Sequence, residues 1–188
     1  MLTALMRELA AILRTVESSN ARLHTWPHLG VARQVDKLMV VQRSRESCVT
    51  LTRFVQTHPG GKLGPTLALD VLRDIARGLQ ELHAQGISDL DLNPDCILLT
   101  GSGLAVISNL GLGRIVNMRT KVPASTANAL VNYQPPEKYS SSAYSGPMCD
   151  IWSLACIMIH VLTGQAPMAG LTALEIMGKV RGLSWARV

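Results

Sequence analysis

Between Leu69 and Ile107 the apolar residues change their period, and this change constrains the fold more than any other feature of the chain. Leu69, Leu72, Ile75, Leu79 and Leu82 recur at three- and four-residue steps behind a Gly64-Pro65-Thr66 start, so the spacing predicts an amphipathic helix over 66–85 that stops at Gly86. Ile97-Leu98-Leu99 and Leu104-Ala105-Val106-Ile107 then flank Gly101-Ser102-Gly103, which reads as two short strands about a glycine-tolerant turn. Helical period returns from Asp150 to Thr163. There Ile151, Leu154, Cys156, Met158, Ile159, Val161 and Leu162 leave almost no polar side, so the expectation is a helix buried on most faces and ended by Gly164. A further helix is expected over Leu171 to Val180. Helices and short strands in one unit place the chain in the α+β class.

The first sixty or so positions are less regular. Leu2, Leu5, Met6, Leu9, Ile12 and Leu13 suit an amphipathic helix over Met1 to Ser18, Leu38 to Gln42 suit a buried strand, and Thr57-His58-Pro59-Gly60-Gly61 marks a loop. With 188 residues, 47% of them apolar, and a mean hydropathy of +0.21, the chain can bury one core, so a single domain or part of one is expected. No apolar run approaches the roughly 18 to 20 residues of a membrane span. Arg7 and Glu8 interrupt the N-terminal apolar stretch where a signal peptide needs continuity, and the expectation is a soluble, intracellular (cytoplasmic) protein with no membrane partner. Cys48, Cys96, Cys149 and Cys156 are too scattered for a disulfide framework or a zinc-binding pair, and are expected to be reduced. A formal charge of +5 without a basic block, and aromatics at only 4%, exclude the polybasic tail and the stacking platform of a nucleic-acid binder.

Five short motifs in a fixed order carry a resemblance. They are Asp74 to His83 (Asp-Ile-Ala-Arg-Gly-Leu-Gln-Glu-Leu-His), Asp91-Leu-Asn-Pro-Asp-Cys96, Asn109-Leu110-Gly111, Pro135-Pro136-Glu137 and Asp150-Ile-Trp-Ser. The set resembles the C-terminal lobe of eukaryotic protein kinases: the helix before the catalytic loop, the Asp-Leu-Lys-Pro-Glu-Asn loop, Asp-Phe-Gly, Ala-Pro-Glu and Asp-x-Trp-Ser. It implies a protein-kinase-like fold, mainly the helical C-terminal lobe. Residues 1–43 would form a partial upper lobe up to the hinge, and residues 44–188 a lower lobe that stops before its last helices. Nothing before Leu38 matches the glycine-rich loop or the Val-Ala-Ile-Lys strand of the family, so the upper lobe is expected to be incomplete. Within the superfamily, Leu104 to Leu112 and Ala169 to Ile176 are similar to the kinase-like domain of the Keep on Going family of plant ubiquitin ligases.

The resemblance assigns roles position by position, and several positions have changed chemistry. Asp91 stands where the family has the base that takes the acceptor hydroxyl proton. Asn93 replaces the lysine that steadies the transferring phosphate. Cys96 replaces the asparagine that holds a second magnesium, although a hard cation prefers oxygen. Asn109 replaces the metal-loop aspartate and keeps only an amide oxygen, so Asn109 and Asp91 remain as weak metal ligands, with Asn109 also facing the nucleotide. Asp89 and Leu90 replace the His-Arg before the base, leaving no receptor for phosphate at Thr120, Ser125 or Thr126. Leu130 replaces the threonine that packs near the base. The hinge falls at Gln42 and Arg43, whose backbone groups would hold adenine, so ATP with magnesium is expected to bind weakly if at all. Asp150 is expected to tie the long apolar helix to the catalytic loop, and Glu137 to have lost an arginine partner. Asp91 also has a plainer reading as an anchor of its own loop. Asp89, Asp91 and Asp95 offer one more alternative, a carboxylate cluster for a divalent cation, and Glu8 or Glu17 could stand where the regulatory helix keeps its glutamate.

One missing cation of this kind lowers phosphoryl transfer by about 10³ to 10⁵. The expectation is therefore a pseudokinase, a protein-binding or scaffolding module with a protein partner and little transferase activity. The alternatives are an ATP-dependent Ser/Thr kinase that uses Asp91 as base, and a truncated fragment without independent function. Neither the partner nor the oligomeric state is readable from the chain.

Overall fold

The computed structural model describes residues 24–34, 37–42, 47–88, 90–108, 130–139 and 146–182. Along the chain come β1 (His28–Gln34), β2 (Lys37–Gln42), β3 (Val49–Thr50), α1 (Leu51–Thr57), α2 (Pro65–Ala84), β4 (Ile97–Leu99), β5 (Ala105–Ile107), α3 (Pro147–Thr163) and α4 (Ala173–Arg181). Short 3-10 turns lie at Pro59–Gly61, Pro94–Cys96 and Pro136–Tyr139. The α+β class expected from the sequence is what forms. β1 and β2 make an antiparallel pair, and β3, β4 and β5 an antiparallel sheet in that order.

α2 is the centre of the described structure. Pro65 opens it at a position where a missing N–H costs nothing, and Gly86, at φ 74°, carries the chain out of it after Gln85. Its buried face is Ala68, Val71, Ile75, Gly78, Leu79 and Leu82. Leu69, taken above as part of that face, is 57% exposed instead, because at 100° per residue it falls about 120° round the helix from Ile75. Gly78 is the notch on this face. A Cβ there would meet the His24 carbonyl oxygen and Ile107 Cδ1 at 3.0 Å, so only glycine lets the strand-like stretch at His24-Thr25-Trp26 lie between α2 and β5. His24 also reaches two carboxylates of α2, Glu81 Oε1 at 3.2 Å and Asp74 Oδ1 at 3.8 Å.

The hairpin β4–β5 forms as expected, turning through Gly103 at φ 84°. α3 runs three residues further back than its sequence pattern indicated, to Pro147, and ends at a left-handed Gly164. Its burial corrects the expectation of an all-round buried helix. Cys149, Asp150, Ser153, Cys156, Ile157 and Val161 are buried, whereas Met148, Ile151, Met158, Ile159 and Leu162 are between 40% and 62% exposed. The apolar residues all round α3 do not divide into inside and outside by polarity, so composition alone gave no sign of the exposed side. The strand at Leu38 to Gln42 is present, but Val41 is 40% exposed rather than buried. α4 begins at a capping box in which Thr172 and Glu175 satisfy one another's backbone N–H groups. β1 and the short α1, the latter capped by Thr50, lack a period long enough to be seen in the sequence. The helix expected over Met1 to Ser18 lies outside the described residues.

Candidate functional site

The loop that follows α2 is held by two apolar plugs. Leu90 and Leu92 are both buried in the main core, one on each side of Asp91, so the side chain between them must leave the core on the opposite side. Asp91 adopts φ 49°, a left-handed conformation that only short polar side chains other than glycine take up readily. Asp150, 1% exposed on the first turn of α3, accepts the Leu90 N–H on Oδ1 at 2.8 Å, while its Oδ2 meets His83 Nε2 at 2.8 Å. One buried carboxylate thereby joins α3, the end of α2 and the loop.

The side chains at 93 and 96 are turned inward on that loop. Asn93 caps the Pro94–Cys96 turn, its Oδ1 accepting the Asp95 N–H at 2.9 Å. Its Nδ2 donates to the Asp91 carbonyl oxygen and to Cys96 Sγ, both at 3.1 Å. Cys96 is buried and its thiol also lies 3.9 Å from the Asp91 carbonyl oxygen. Ser108 closes the other side by donating both N–H and Oγ–H to the Cys96 carbonyl oxygen, and Gln42 Nε2 in turn donates to the Ser108 carbonyl oxygen at 2.7 Å. Gln42 is thus placed next to the segment that leads to Asn109. Arg43, Asn109 and Asp89 lie outside the described residues, as do Glu8, Glu17, Thr120, Ser125 and Thr126.

The Asp91 carboxylate, 9% exposed, is not open. Oδ1 accepts from Lys138 Nζ at 3.4 Å and from Gln134 Nε2 at 3.3 Å. Tyr139 OH donates to Gln134 Oε1 at 3.1 Å and Val131 O at 3.3 Å, while Arg181 donates to the Tyr139 carbonyl oxygen, so α4 backs the turn that carries Lys138. Burial, and after it the Asp91 charge, push the Tyr139 phenol well above its ordinary value, which keeps it a donor. Glu137, on the same turn, accepts from the Cys149 thiol at 3.8 Å. Burial likewise pushes Cys156 up to about 11, making it an inert thiol of the core rather than a nucleophile.

Lys138 and Gln134 were not among the residues that the sequence singled out. Lys138 directly follows Pro135-Pro136-Glu137, but its distance of 47 positions from Asp91 hides the contact. His83 and Ser153 were missed for the same reason. A magnesium–nucleotide does not fit the described donors. Position 96 presents a buried thiol already bonded to Asn93 where a hard cation needs oxygen, and Asp91 Oδ1 is shared by two donors. Among the described residues no three His, Cys, Asp or Glu side chains converge on a metal site, so the Asp89, Asp91 and Asp95 cluster has no support from the two members that are described. The same residues contain no helix long and apolar enough to cross a membrane.

Comparison with known proteins adds a second line. A family model described as protein kinase domain matches residues 27–182. Over 168 residues the chain is 28% identical to cyclin-dependent kinase 4 of Ovis aries, an alignment covering 85% of this chain and 54% of that protein. It is similar to serine/threonine-protein kinase PknD of Mycobacterium tuberculosis (strain CDC 1551 / Oshkosh), 33% identical over 107 residues, with 57% of this chain and 16% of PknD covered. Serine/threonine-protein kinase BCK1/SLK1/SSP31 of Saccharomyces cerevisiae is 26% identical over 184 residues, or 90% of this chain and 12% of that kinase. The chain spans about half the length of cyclin-dependent kinase 4 and smaller shares of the other two.

Proposed function

The chain belongs to the protein kinase domain family, and from that premise we propose that it works as a pseudokinase, a protein-binding or scaffolding module of Ser/Thr-kinase type with little or no phosphoryl transfer. The observation that carries this reading is the state of Asp91. A base must be within reach of the hydroxyl whose proton it takes, and here the carboxylate holds the catalytic loop to Lys138 and Gln134 instead. Asn93 and Cys96 act in the same sense, each bonded within the loop rather than directed at a phosphate or a metal. Residues 1–43 as a partial upper lobe and 44–188 as the lower lobe remain the proposed division, supported by the separate β1–β2 and β3–β4–β5 sheets. An intracellular place agrees with four cysteines of which none forms a disulfide. The narrower likeness to the Keep on Going family rests on its two short phrases and brings no ligase chemistry to these residues.

A second reading, an active Ser/Thr kinase with Asp91 as base, is favoured by the relatives, which are named as kinases. Thermal-shift titration of the chain with ATP, with and without magnesium, followed by a phosphotransfer assay, separates the two. The scaffold reading expects no magnesium-dependent stabilisation, and turnover no higher than that of Asp91→Asn. Stabilisation and turnover that need both magnesium and Asp91 would replace it with the kinase reading.

A further inference from the structure

Between α3 and the Leu130–Tyr139 stretch sits a polar pair that the proposed function does not use. Tyr133, 6% exposed, has its hydroxyl 2.8 Å from His160 Nδ1, the rings tilted at 40° with centroids 6.2 Å apart. Burial drives the Tyr133 phenol far above its ordinary value, so its oxygen keeps the proton and is the donor; His160 Nδ1 must then be the acceptor, which only a neutral imidazole can be. The next residue, Gln134, is one of the two donors to Asp91 Oδ1. Ser153 Oγ holds the Tyr133 carbonyl oxygen at 2.8 Å, so the backbone is tethered independently and the side chain alone depends on His160.

We propose that His160 is a proton-operated latch, which while neutral holds Tyr133 and, through Gln134, the closed clamp on Asp91, and which on protonation releases the side-chain contacts of residues 130–139. Three groups face or adjoin the imidazole. Tyr133 comes from the stretch that the latch holds, Asp95 from the Pro94–Cys96 turn, and Cys156 from one turn earlier on α3. Burial lowers His160 below the ordinary imidazole value of 6.5, and the Asp95 carboxylate opposes this without reversing it. The sign follows. A histidine that binds its proton less well folded than unfolded contributes fully above the unfolded value and loses its contribution as pH falls below 6.5, so the latch is closed at neutral pH and opens in mild acid. The latch operates whether or not the chain transfers phosphate, and its test does not read activity.

Amide hydrogen exchange of residues 130–139, corrected for intrinsic rates, tests it at about pH 7.5 and about pH 5. Loss of the acceptor for a buried hydroxyl should reduce protection there by about tenfold at the lower pH, and the midpoint should coincide with the His160 imidazole titration followed by NMR. His160→Gln, which keeps an acceptor at every pH, should abolish the response, and Tyr133→Phe should leave protection low at both pH values. Equal protection of the wild type at the two pH values, a midpoint away from that of His160, or an unchanged response in either variant overturns the latch. The wild-type measurements stand alone if a variant does not fold.

Discussion

Asp150 shows how much one buried residue can organise. It is 1% exposed, accepts the Leu90 N–H and meets His83, and so binds the end of one helix, the start of another and the loop between the two apolar plugs. Removing an acceptor from a buried donor costs about 1 to 3 kcal/mol. Asp150→Ala should therefore lower the melting temperature by several degrees, at about 2 to 4 °C per kcal/mol for a chain of this size, with Leu90 losing amide protection first. Asp150→Asn keeps an oxygen and should lose less; equal losses in the two variants would show that the acceptor oxygen is not what matters. Asp150 was legible in the sequence through Asp150-Ile-Trp-Ser, as was Asp91 through its loop motif. Lys138 was not. Its role comes from a 3.4 Å approach across 47 positions, and local spacing carries no information about such a distance.

At the scale of elements, boundaries were read best where one residue type is demanded by backbone geometry. Gly86 and Gly164 end α2 and α3 at φ 74° and 80°, and both stops were visible as glycines. Gly164 carries a second demand, because a Cβ there would run into the Gly61 carbonyl oxygen beside the Leu63 N–H to Val161 O bond that joins the preceding loop to α3. Gly164→Ala combines left-handed strain of about 1 kcal/mol or more with that collision. It should destabilise the chain in chemical denaturation by at least about 1 to 3 kcal/mol, whereas Gly170→Ala, also at positive φ but with open space around it, should show the strain alone. Equal losses at the two sites would remove the collision from the account. β1 and α1 stayed invisible for the opposite reason. They are seven residues each, and no single position in them is required by geometry that the sequence displays.

For the molecule as a whole, α3 has a buried side against α2 and an exposed one. Met148, Ile151, Met158, Ile159 and Leu162 fall within a stripe about 100° wide at 100° per residue, and exposed apolar stripes promote association. Replacing Ile151 and Ile159 by Lys should leave the melting temperature within about 1 °C while raising the concentration at which light scattering first detects association. A large drop in melting temperature would mean that the stripe is part of the core after all. The sequence by itself determined the kinase-family motif order, the α+β class, α2, α3 and the hairpin, because periodicity and glycine geometry act over a few neighbouring residues. Only the tertiary structure decided which side of an evenly apolar helix is covered, that Lys138 and Gln134 engage Asp91, and that His160 faces Tyr133. Those outcomes depend on residues brought together by packing from 27 to 47 positions apart, and no local pattern records which distant surfaces will meet.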